Sequence, residues 1–380
     1  MQTNRLAEAI LLRALQGATL LAVLFACSAG PEIDREPNDG ACSGCTIGLQ
    51  HLVTLQVNEM TRPIAGSPTD VVSGPAGERI VFHPGQAPSL FDADGRFVQE
   101  IGGLGQGPGE FQVPVHAAYL PGDSILVLDV AQLRATVLDP ALNAVRTISL
   151  PVMAGAAAVL RWPDRVAVAG TAFVGEHAGW PVHLVDMSGE SAVHLAAAGE
   201  SRVAVREGQP GVERRTLAAG DAESFWAAQL LAYRIARISA SGDVLETISR
   251  TPEWFGDIAP YAHGGSPTVP PPSMLRKLAA RGDTLWLAFS VARPDWRRAW
   301  DRVVIPSSGE LTASNSPETT ELTMGRIEAI DARSGALLAS REVDGLVVGL
   351  DDRANAVVYD LDGNLLPRLR VMRLSIEGAP

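Results

Sequence analysis

The side chains able to do chemistry are few and scattered along the chain. Seven histidines stand at positions 51, 83, 116, 177, 183, 194 and 263. Zinc needs several His, Cys or carboxylate ligands at short characteristic spacings, and neither H-E-x-x-H nor a comparable pattern occurs. Asp129, Asp139, Asp186, Asp331 and Asp360 each close a β-branched, apolar run. Carboxylates so placed could bind calcium, but no D-x-[DN]-x-[DN]-G loop reaches the required Glu, and turn capping explains them more cheaply. G-x-S-x-G is absent and no Ser-His-Asp order can be argued. No catalytic residue, metal ligand or cofactor is therefore assigned. The densest group of binding-type side chains is Trp296, Arg297, Arg298 and Trp300. Exposed Trp and Arg dominate binding hot spots. The plain alternative is that the tryptophans pack on their own unit.

The cysteines place the chain in a compartment. A nine-residue apolar run, 18–26, follows Arg5 and Arg13 and ends at Cys27. It is too short to span a bilayer and has the length of a signal-peptide core. Leu24-Phe25-Ala26-Cys27 resembles a bacterial lipobox. That resemblance implies removal of residues 1–26, a lipid on Cys27, and export to the cell envelope. Residues 28–40 are polar and rich in Pro, Asp and Glu, the composition of a disordered tether. Cys42 and Cys45, with Gly44 between them, are expected to form a local disulfide in an oxidising compartment. Haem attachment would need His at 46, where Thr stands. The net charge of −12 argues against nucleic acid as partner. Lys277 is the only lysine; the other cations are arginine.

The elements that must position these groups come from an internal repeat. An apolar strand, a turn, a β-branched strand ending in Asp, an Asp-Gly or Ser-Gly turn and a further strand recur from about 78, 124, 165, 224, 283 and 346. Asp-Gly and Ser-Gly supply the positive φ that hairpins need. Spacings of about 40 to 60 residues suit propeller blades. The first strand of each unit is the most apolar and is read as the one nearest the axis. An unassigned strand from His51 and a last unit short of one strand predict that the N-terminal strand completes the last blade.

Between the first two units lies Ile101-Gly102-Gly103-Leu104-Gly105-Gln106-Gly107-Pro108-Gly109-Glu110-Phe111-Gln112-Val113-Pro114. This run resembles the linker of NHL-repeat six-bladed β-propellers, and the preceding Asp92–Phe97 run shares the resemblance. The likeness extends to bacterial exported propellers of unassigned role. It implies an all-β chain of six four-stranded antiparallel blades over 51–380, behind a signal peptide (1–26) and a tether (27–50). On that fold His116 opens an inner strand and is either an ordinary strand residue or a channel contact. His177 and His183 flank Gly179-Trp180-Pro181 at one rim, with the same two readings. The expected function is a lipid-anchored, non-catalytic binding or scaffold module for an unknown protein or small ligand. The alternative is a metal-dependent lyase or hydrolase at the channel mouth, since some NHL-type propellers are such enzymes.

Overall fold

The computed structural model describes residues 32–35, 42, 44–56, 67–150, 152–159, 165–172, 178–187, 193–198, 214–255, 268–301, 317–364 and 366–378. In chain order the strands are β1 (Glu32–Arg35), β2 (Thr46–Leu55), β3 (Asp70–Ser73), β4 (Arg79–Phe82), β5 (Ser89–Phe91), β6 (Phe97–Glu100), β7 (Gly103–Leu104), β8 (Glu110–Phe111), β9 (Pro114–Tyr119), β10 (Ile125–Asp129), β11 (Arg134–Leu138), β12 (Ala144–Ser149), β13 (Met153–Val159), β14 (Arg165–Thr171), β15 (Val182–Asp186) and β16 (Val193–Ala198). They continue as β17 (Arg215–Ala219), β18 (Ser224–Gln229), β19 (Arg234–Ser239), β20 (Val244–Arg250), β21 (Met274–Arg281), β22 (Thr284–Ala292), β23 (Thr323–Asp331), β24 (Leu337–Val343), β25 (Leu346–Leu350), β26 (Asn355–Leu361) and β27 (Pro367–Glu377). Two short helices, α1 (Arg297–Trp300) and α2 (Thr319–Leu322), interrupt the fifth meander.

β3–β6, β9–β12, β13–β16, β17–β20 and β21–β24 are antiparallel meanders. β25–β27 form another, completed by β2, which runs antiparallel to β27 from Thr46 opposite Glu377 to Leu55 opposite Leu369. The first strand of each meander packs on the first strand of the next: β3 on β9, β9 on β13, β13 on β17, β17 on β21, β21 on β25, and β25 back on β3. That closed ring makes the fold a β-propeller. The last meander is thus closed by the N-terminal strand as expected, although the strand begins at Thr46 and not at His51.

The core is divided among the clefts between neighbouring sheets. Along β10, Ile125 and Val127 pack toward the first sheet, while Leu126 and Leu128 pack toward the third. Both faces of a blade are covered, so its central strands are buried along their whole length and mostly apolar, as in the Arg79–Phe82 and Ile125–Asp129 runs. This corrects the repeat boundaries. In the first five units the most apolar strand is the second strand, not the axial one. The axial strands are those before it, and several are short or made of small residues, such as Asp70–Ser73 and Met153–Val159.

Two further features refine the reading of the sequence. Phe111 is fully buried between the first two sheets with Ile80, Phe82, Ile101 and Val127, so the glycine-rich run is a crossover that seats one aromatic ring. The segment read as a disordered tether contributes β1, which pairs in parallel with β20, Glu32 to Arg35 alongside Thr247 to Arg250. An added strand covers an otherwise open sheet edge.

Candidate functional site

Three axial strands bring together charges that lie far apart in the chain. Asp70 is the first residue of β3, His116 lies in β9 opposite Leu128, and Lys277 lies in β21 at a bulge between Leu275 and Lys277. A bulge sets two residues against one and re-aims the side chain it carries. The Asp70 carboxylate accepts from Lys277 Nζ at Oδ1 and from His116 Nδ1 at Oδ2. An ionised carboxylate can only accept, so His116 carries its proton on Nδ1. The Asp70 side chain is 7% exposed, against 17% for His116 and 18% for Lys277. Burial alone pushes the Asp70 carboxyl up; the attraction of Lys277 and His116, with their hydrogen bonds, outweighs it and brings it down to about 2.

At neutral pH this Asp70 is always ionised. It cannot act as an acid, and it holds the His116 ring in one tautomer and orientation. Mechanically the cluster ties the first, second and fifth sheets across the ring. Chemically it offers an imidazole and an ammonium at partial exposure, with their shared carboxylate shielded behind them.

A second buried network joins the fourth and fifth sheets. Tyr233 Oη donates to Glu328 Oε2 at 2.9 Å, and Arg326 Nε donates to Glu328 Oε1 at 3.0 Å. Arg326 lies over the Trp254 ring at 4.4 Å, and Tyr233 stacks on Phe289 at 5.3 Å between ring centroids. Burial and the adjacent Glu328 carboxylate push the Tyr233 phenol well above its ordinary value. Every partner is engaged, so this network acts as packing.

Of the residues singled out in the sequence, His116 alone among those described reaches the axial cluster. His183 is fully buried in β15, with Nε2 donating to the Trp180 carbonyl at 3.0 Å. His183 is thus placed as a buried strand residue, one of the two readings open to it. His177 and Cys27 lie outside the described residues. Trp296 and Trp300 are buried, Arg297 and Arg298 face solvent, and Arg297 lies 5.2 Å over the Trp296 ring. Cys42 and Cys45 form the expected disulfide, Cα to Cα 5.5 Å.

Of the aspartates that close strands, Asp129, Asp139 and Asp331 cap turns, whereas Asp360 accepts from Arg368 and Arg370 of the adjoining strand. Asp129 accepts from the backbone N–H of Gln112, Val113, Ala131 and Gln132. Asp331 accepts from those of Arg333 and Ser334. Among the described residues no group of three or more His, Cys, Asp or Glu is arranged to hold a metal. Asp70 and Lys277 were missed in the sequence. Lys277 carried one signal, its uniqueness, and Asp70 carried none.

No family model and no curated protein matches the chain. Solved structures do. A "Putative exported protein" from Bacteroides fragilis NCTC 9343 aligns at TM-score 0.55 and 10% identity, over 90% of this chain and 99% of that one. A member of the DUF4221 family from Bacteroides vulgatus ATCC 8482 aligns at TM-score 0.56 and 8% identity, over 88% and 99%. The Cps50 (Swd1) β-propeller domain of Myceliophteria thermophila aligns at TM-score 0.46 and 12% identity, over 86% and 100%. At these identities the likeness concerns fold alone.

Proposed function

We propose that the chain is an exported six-bladed propeller of the NHL type, held at a membrane by a lipid on Cys27, that works as a non-catalytic binding or scaffold module. The observation that carries this reading is the state of Asp70. Both its oxygens are taken by side chains from other sheets, Lys277 and His116. This charge cluster on the axial strands therefore serves to hold the ring in one shape, which is what a rigid presenting surface requires. The lipobox-like Leu24–Cys27 run supports the anchor, and the Cys42–Cys45 disulfide agrees with an oxidising compartment.

Two measurements test it. Protein purified from native membranes, without chelators, is analysed for metals. A scaffold returns sub-stoichiometric zinc and calcium, whereas one metal per chain overturns the reading in favour of a metal-dependent lyase or hydrolase. Metabolic labelling with palmitate tests the anchor: label on the wild type and none on Cys27→Ser is expected, and unlabelled wild type refutes lipidation.

A further inference from the structure

The second and fourth sheets carry the same outer ladder. Arg134 opposite Ser149, Ala135 opposite Ile148, Thr136 opposite Thr147 and Val137 opposite Arg146 match Arg234 opposite Ser249, Ile235 opposite Ile248, Ala236 opposite Thr247 and Arg237 opposite Glu246. The register shift falls at the same place in both, after Val137 and after Arg237. Leu150 N–H bonds to the Leu133 carbonyl at 2.7 Å, as Arg250 N–H bonds to that of Tyr233 at 3.0 Å. The alternation of an antiparallel ladder then turns the N–H and C=O of Thr147 and Ser149 outward, like those of Thr247 and Ser249.

In the fourth sheet that outward row is covered by β1, in parallel from Thr247 to Arg250. In the second sheet β12 is the last strand among the described residues. Its edge instead borders a groove of about 580 Å³ lined by Gln132, Leu133, Arg134, Val145, Arg146, Thr147 and Ser149. Leu133 and Val145 stand 43% and 60% exposed there. Leu133 is held at φ +48°, a strained conformation for a bulky residue. The two edges differ in charge. Glu246 of the fourth sheet is matched by Arg237 at 3.3 Å. Its counterpart Arg146 faces Val137 across the ladder and forms no ion pair among the described residues.

We infer that the Thr147–Ser149 edge of the second sheet is a peptide-binding site, taking an acidic, extended segment of a partner protein as an added parallel strand. Backbone hydrogen bonds to Thr147 and Ser149 give the register, Leu133 and Val145 take apolar side chains, and Arg146 selects carboxylates, while Arg134 is held by the carbonyls of Gln106, Gly107 and Glu110. The inference deepens the binding-module reading and rests on it, since it names a surface and a ligand class for that module.

The test uses the full mature protein and a fluorescein-labelled peptide, GPEIDREPN, copied from residues 30–38, whose central four residues already form the strand on the equivalent edge. Saturable anisotropy is expected, with new hydrogen-exchange protection at Thr147 and Ser149. Arg146→Glu and Ser149→Pro should each weaken binding at least tenfold. Proline at 149 removes an outward N–H and leaves the internal ladder intact, so the variant folds; if it does not, Arg146→Glu alone carries the test. Peptide bound equally by Arg146→Glu overturns the inference, as does protection confined to 247–249. A concentration-dependent dimer that buries this edge also overturns it, with a second copy as the occupant. None of these results touches the metal and lipid tests of the module itself.

Discussion

Replacing Lys277 by Met removes the sole lysine and leaves a carboxylate behind in a shielded site. In the wild type, depression of the Asp70 carboxyl from 3.8 to about 2 is worth about 2 kcal/mol of stability at neutral pH. A carboxylate with a lowered folded pKa contributes fully above its unfolded value. That contribution is lost as pH falls from about 4 toward 2. Without Lys277 the largest opposing attraction is gone, and burial drives the Asp70 carboxyl upward. His116 stays as the one partner. Removing one member of a buried pair costs 3–5 kcal/mol in general; with His116 remaining and Lys277 18% exposed, about 3 kcal/mol is expected at pH 7. The assay is urea unfolding of the mature protein at pH 7 and pH 3. The variant should be destabilised by about 3 kcal/mol relative to wild type at pH 7 and by clearly less at pH 3, where Asp70 accepts a proton. Asp70→Asn combined with Lys277→Met should recover most of the loss, because no charge is then left buried. A Lys277→Met protein within about 0.5 kcal/mol of wild type at pH 7, where ordinary surface changes fall, would refute the reasoning. So would the same deficit at both pH values.

Other expectations follow from single sites. His83 is buried, and burial pushes its imidazole from 6.5 down to about 4. The unfolded chain then takes up its proton first, so stability should decline by about 3 kcal/mol as pH falls from 6.5 to 4; His83→Gln should flatten that limb in a pH series of urea midpoints. Tyr233→Phe leaves one Glu328 oxygen without its donor and should lower stability by about 1 to 3 kcal/mol, read by the same unfolding assay. At the seam between the last and first sheets, a Cβ on Gly349 would lie 2.7 Å from the Val71 carbonyl oxygen. Gly349→Ala should therefore destabilise by about 1 to 3 kcal/mol, and an unchanged midpoint would show that the seam relaxes. Cys27→Ala should move the protein from the membrane to the soluble fraction on cell fractionation.

The all-β repeat, the closing N-terminal strand and the Cys42–Cys45 bond were legible in the residues because each is local or periodic. Alternation with period two makes a strand wherever it occurs. Asp-Gly turns bend the chain without help from distant parts. Two cysteines three positions apart can bridge without help from distant parts. The turn-capping role of Asp129 and Asp331 was legible for the same reason, since their main partners are near in sequence or flank the adjoining strand.

Which strand lies on the axis was not legible. Apolar density reports coverage on both faces, and the second strand of each blade has more of that than the first. The fate of Trp296 and Trp300 was hidden too, because composition identifies rings able to make contacts and says nothing about which way a short helix turns them. The axial cluster is the plainest case. His116 and Lys277 lie 46 and 207 residues from Asp70, whose carboxylate they share, so no window of sequence holds the pattern. Sequence alone determined that strands would form and roughly where the chain would turn. Only ring closure decided which charges would meet, because it sets the first strands of distant repeats side by side around one axis.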